Sequence, residues 1–111
     1  MSALEKEFHL YIDEQHVGII RPGRNENSWN FGEFEPLKCF SKFAPMFGRW
    51  SLLMHADSDI EPLSSAAADE LREAEREIDG HQFRLFSPVR KQWIALVEVN
   101  IDGNMIEWRE T

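Results

Sequence analysis

The sequence predicts an α+β fold: one antiparallel sheet from N- and C-terminal β-hairpins and meanders, in the order β-β-β-α-α-β-β-β, packed against a long central helix. Residues that alternate apolar and polar gather near both ends of the chain, while the middle repeats its apolar residues at helical spacing. Turn residues separate the neighbouring strand segments. Strands grouped at the ends with helices between them argue for α+β over the strand-helix alternation of a parallel sheet.

Phe8, Leu10 and Ile12 alternate with polar residues, and Asp13-Glu14 suits a tight turn. His16 to Ile20 then returns, with Leu10 opposite Val17 and Phe8 opposite Ile19, which puts the apolar residues of both strands on one face. Arg21 to Asn27 reads as a polar loop holding two breakers, Pro22 and Gly23. A third strand is expected over Ser28 to Phe34, with Trp29 and Phe31 sharing a face and Gly32 marking a bulge.

Glu35-Pro36 suits a helix start. Leu37 to Ala56 is apolar almost all round, and its cations Lys38, Lys42 and Arg49 fall within about 40° of one another at helical spacing. A single helix bent at Pro45 is expected, the alternative being a break near Phe47-Gly48. Asp57 to Pro62 reads as a linker. Ser64 or Ser65 caps a second helix that runs to Asp79 and stops at Gly80, with a thin apolar stripe of Ala67, Leu71, Ala74 and Ile78. Phe83 to Phe86 is a short strand. Trp93 to Ile101 is the clearest one, with Trp93, Ala95, Val97, Val99 and Ile101 expected on one face. Asp102-Gly103 marks a hairpin to Met105–Arg109, pairing Val99 with Ile106 and Val97 with Trp108.

With 111 residues, the chain is the size of a single domain, 1–111, that buries roughly two-thirds of its unfolded surface. Its formal net charge is −8, which repels phosphate backbones and anionic membrane surfaces, so neither nucleic acid nor membrane is an expected partner. A basic partner is electrostatically favoured. Cys39 is the only cysteine; no internal disulfide can form, and the residue reads as buried filler. The charged residues up to Glu7 lead straight into strand-like sequence, and no apolar run approaches the roughly 18 residues of a membrane span. The expectation is a cytoplasmic protein.

The groups that could carry chemistry are few. His9, Tyr11 and His16 share one face of the first hairpin, where imidazoles and a phenol could bind a ligand or exchange protons. The plainer alternative is the polar side of a half-buried hairpin. Glu98 and Glu107 fall directly cross-strand in the expected register, and like charges there destabilise unless a cation joins them. Arg109, or a shifted register, would relieve them. Ile94, Leu96 and Met105 are expected beside these acids, making an apolar-plus-acidic surface of the kind found at interfaces. Trp29, Phe31 and Glu33 could line an aromatic ligand pocket around residues 29–35, or else form a core strand. Cys39 and His55 are too far apart on one straight helix to act as nucleophile and base. No phosphate-binding glycine loop, metal-binding or nucleophile-elbow motif is present. No catalytic residue, metal or cofactor is therefore assigned.

The expected function is that of a protein-interaction or oligomerising module. It would bind a protein partner, basic in character, or itself as a homodimer, through Ile94, Leu96, Glu98, Met105 and Glu107. The alternative is a small-ligand binder or enzyme using His9, Tyr11, His16, Trp29, Phe31 and Glu33.

Overall fold

A computed structural model describes residues 6–57 and 61–111. Its strands are β1 (Phe8–Ile12), β2 (Gln15–Glu26), β3 (Trp29–Pro36), β4 (Phe83–Ser87), β5 (Gln92–Asp102) and β6 (Met105–Glu110). Between β3 and β4 lie a 3-10 turn (Lys38–Lys42) and two helices, α1 (Ala44–Ala56) and α2 (Ser65–Asp79). The fold is α+β with all neighbouring strands antiparallel. The sheet, however, closes on itself as a barrel in the order β1-β2-β3-β6-β5-β4.

A barrel narrows with its number of strands; about eight leave an interior that side chains just fill, and six leave less. Leu10, Ile12, Val17, Ile20, Leu85, Val99, Ile106 and Trp108 fill it, each almost wholly buried. The helical segment lies across one end of the barrel. Phe40 packs edge-on against Phe34 near the end of β3, and Phe47 packs against Phe83 at the start of β4. α2 buries only Ala74 and Ile78 of its thin stripe. Ser64 caps it as expected, its hydroxyl accepting from the Ala67 amide at 3.2 Å.

The expected long central helix is not formed. The chain makes a 3-10 turn, passes through Phe43, and starts α1 with Pro45 in its first turn. A proline cannot bond back into a preceding turn and disfavours α geometry in the residue before it, so the helix begins anew there. The break falls neither at Phe47-Gly48 nor along one bent helix. Cys39 is consequently exposed in the 3-10 turn and is not core filler. The linker expected over residues 57–62 falls partly outside the described residues.

Three bulges shift the expected registers. Tyr11 pairs with His16 but Leu10 pairs with Gly18, so Val17 is an extra residue and Phe8 meets Ile20 rather than Ile19. A second bulge at Gly23 lets β2 run through Pro22 to Glu26, where a loop was expected; bulges are among the few sheet positions that tolerate proline. The third falls at Val97, between Leu96 and Glu98. One inserted residue reverses which face the rest of the strand presents. Trp93, Ala95 and Val97 therefore point outward, whereas Val99 and Ile101 point into the barrel. The last hairpin turns on Gly103-Asn104, one residue later than expected, so Val99 pairs with Trp108 and Ile101 with Ile106.

Two turns are built from residues other than glycine with positive φ at both central positions: Asp13-Glu14 (φ 49° and 71°) and Asn27-Ser28 (φ 51° and 68°). These match the primed turns whose twist suits a two-residue hairpin. Glycine is needed at position 32 for a different reason. A Cβ there would sit 2.5 Å from the Arg21 carbonyl oxygen and 3.1 Å from the Pro22 Cα. Backbone cannot move aside, so Gly32→Ala is expected to destabilise the protein by about 1–3 kcal/mol in urea unfolding.

Candidate functional site

Cross-strand partners project from the same face of a sheet. Arg24 pairs with Phe31, Phe31 with Glu107, and Glu107 with Asn100, giving one row across the outer wall of β2, β3, β6 and β5. A neighbouring row runs from Glu33 through Met105 to Asp102. On the other side, Arg109 lies over the Trp29 ring, 5.0 Å from its centroid, and its guanidinium pairs with Glu98. The wall thus gathers Glu98, Met105 and Glu107 with Trp29, Phe31 and Glu33, residues expected to serve two different functions.

α1 completes this wall by laying Trp50 over it. A cavity of about 230 Å³ lies between Trp50 and the rows, lined also by Arg24, Phe31, Asn100, Met105 and Glu107. A second of about 180 Å³ opens beyond Trp50 and is lined by Met54, Glu75, Asp79, Glu98, Asn100 and Glu107. Trp50, Asn100 and Glu107 border both, so the two form one groove divided by the indole. The Asn100 amide donates to Glu107 Oε1 at 3.0 Å and orients the carboxylate. Among the described residues no cation pairs with Glu107, Glu75 or Asp79.

Glu98 and Glu107 are not directly opposite each other. Glu98 faces Arg109 and Glu107 faces Asn100, because the turn is displaced by one residue and a bulge precedes Glu98. Leu96 is only 8% exposed and Ile94 packs against the core, so neither lies on the wall with the acids. The bulge at Val97 separates them: before it the even-numbered residues point inward, and after it they point outward.

His9, Tyr11 and His16 do come together, but on the opposite wall. His16 stacks on His9 at 4.8 Å and on Tyr11 at 4.9 Å between ring centroids. They lie apart from Trp29, Phe31 and Glu33, and the cavities that Phe31 and Glu33 line include none of them. Among the described residues, no three His, Cys, Asp or Glu side chains are grouped to hold a metal.

Asp102 fixes α1 over the groove. Its Oδ1 accepts from the Ser51 hydroxyl at 2.7 Å, and its Oδ2 lies 2.6 Å from His55 Nε2. Serine and histidine both bond the same carboxylate rather than each other, so this trio lacks the hydroxyl-to-imidazole contact of a nucleophilic triad. It acts as a clamp between helix and hairpin. No sequence signal marked Trp50, Asn100 or Arg24: Trp50 sat within a nearly all-apolar stretch, and the others are placed by register alone.

No family model, curated protein or solved structure matches this chain. Among the described residues no helix is long and apolar enough to cross a membrane.

Two titrations follow. The Ser51 hydroxyl and then His55 hold the Asp102 carboxyl below its ordinary value of 3.8. Its contribution to stability is full above that value and lost as pH falls through the lower folded one. Asp102→Asn should flatten this most acidic limb of the urea midpoint plotted against pH. Burial, and then the neighbouring His9, hold His16 below its ordinary 6.5. Its contribution is likewise present above about pH 6.5 and lost as pH falls. His16→Phe should remove that milder limb while leaving the most acidic one in place.

Proposed function

We propose that the protein is a recognition module that binds a basic side chain of a protein partner in the groove beneath and beside Trp50. The observation that carries this reading is Glu107, an oriented carboxylate without a cationic partner among the described residues, bordering both halves of a groove walled by aromatic rings. A guanidinium or ammonium gains from both parts, the ring face through its quadrupole and the carboxylate through charge-assisted hydrogen bonds.

The chain already uses this chemistry on the same wall. Arg24 lies over Phe31 at 4.9 Å, and Arg109 lies over Trp29 while pairing with Glu98. The indole of Trp50 and the carboxylates of Glu107, Glu75 and Asp79 have no such internal occupant among the described residues. The net charge of −8 would also speed the approach of a basic partner.

A labelled peptide of alternating arginine and leucine tests this reading by fluorescence anisotropy. Glu107→Gln should weaken binding about tenfold, the loss of one charge-assisted contact, and Trp50→Ala should weaken it further. Glu70→Gln, which removes an exposed acid of α2, should change it little. Equal losses for Glu70→Gln and Glu107→Gln would mean that the peptide senses only net charge, and the groove would not be the site.

A further inference from the structure

The barrel wall formed by β1, β4 and the first half of β5 carries a second, differently charged surface. β1 stands diametrically across the ring from β6, and its outward residues His9 and Tyr11 meet ring after ring. His9 packs edge-on against Phe86 at 6.4 Å, Phe86 lies 5.1 Å from Trp93, and Tyr11 meets Trp93 edge-on at 4.9 Å. Arg84 lies over the Trp93 ring at 4.5 Å. Trp93 remains 46% exposed and Val97 50%. Among the described residues no helix packs on this wall, since the helical segment covers the barrel end and the side bearing Trp50.

Its charge has the opposite sign to the protein's. Arg84, Arg90 and Lys91 surround Trp93 in the sequence of β4, the turn and β5, and none makes an ion pair among the described residues. The acids that flank β1 are largely neutralised: Glu7 lies 3.7 Å from Arg21, and Asp13 is tied to His81 and to the Gln82 amide. Among the described residues that flank β1, Glu14 in the exposed turn is the remaining acid.

We infer that this wall, centred on Trp93 and Arg84, is an interaction surface for an acidic, partly apolar segment of a partner protein. Exposed aromatic and arginine side chains are the groups that carry binding energy at protein interfaces. The unpaired cations select a carboxylate-rich occupant in a chain that otherwise repels acids. Single-stranded nucleic acid shares the negative charge but needs open ring faces for base stacking. Here His16 is stacked on by both His9 and Tyr11, and Arg84 covers one face of Trp93. The inference stands apart from the groove, because no side chain is common to the two surfaces.

A labelled peptide of alternating glutamate and leucine should bind the whole protein in fluorescence anisotropy, and raised salt should weaken it. Arg84→Glu is expected to weaken that binding at least tenfold while leaving the arginine-leucine peptide unaffected. Glu107→Gln should do the reverse. Trp93→Ala, with the fold checked by circular dichroism, should also weaken the acidic peptide; Arg84→Gln provides a milder second variant should the alanine variant not fold. The inference is overturned if the acidic peptide does not bind, if Arg84→Glu leaves its binding unchanged, or if an oligothymidylate binds more tightly than the peptide. Failure of the arginine-leucine peptide alone would overturn the groove and not this wall.

Discussion

Closure of the sheet ties each side chain's surroundings to the face by which it leaves its strand. A residue on one parity enters a dry interior, and its neighbour on the other meets solvent, a helix or a partner. There is no third environment in a six-stranded ring, because the interior has no room for a ligand. Trp108 shows how tight this is: it is 2% exposed inside the barrel, and its indole Nε1 has no hydrogen-bond partner among the described residues. Surface open to a ligand or partner is therefore confined to the outer walls and to the end that the helices cover. Both surfaces described above are outer walls, and they meet along β5.

Bulges decide which residues reach those walls. The extra residue at Val97 is the most consequential. It lets one strand serve two environments, offering Trp93 and Val97 to solvent at one end and burying Val99 and Ile101 at the other. Without it, either the core would lose two aliphatic side chains or the second wall would lose its tryptophan. The helical segment plays the corresponding part for the groove. Its break before Pro45 allows α1 to begin afresh, and the Asp102 clamp sets Trp50 over Glu107.

Much of the secondary structure was legible in the residues because its signals are local. Asp13-Glu14 turned the first hairpin, and Ser64 and Gly80 bounded α2 where capping chemistry said they would. Ring closure was not legible, since it depends on β1 finding β4 and β3 finding β6 across the helical segment. The bulges escaped for another reason. Trp93, Ala95, Val97, Val99 and Ile101 alternate perfectly, and the inserted residue that splits them leaves no mark in the pattern. The site was half legible: Glu98, Met105, Glu107, Trp29, Phe31 and Glu33 do share a wall, but Ile94 and Leu96 lie on the core side of the bulge. Trp50 joins them only through the orientation of a helix whose start was misplaced.

Closure also has a kinetic side. Four of the six ladders join strands that are neighbours through short turns, and these hairpins can form quickly and on their own. The ladders β1–β4 and β3–β6 must instead bring together residues such as His9 with Phe86 and Phe31 with Glu107. Each closes a long loop before any contact repays the lost chain entropy. Until that happens the strands still have free edges, which are templates for pairing with other chains. Once the seam shuts, no edge remains. The native ring is thus protected from edge-to-edge association, and its exposure to aggregation is concentrated in the interval before the last ladder forms.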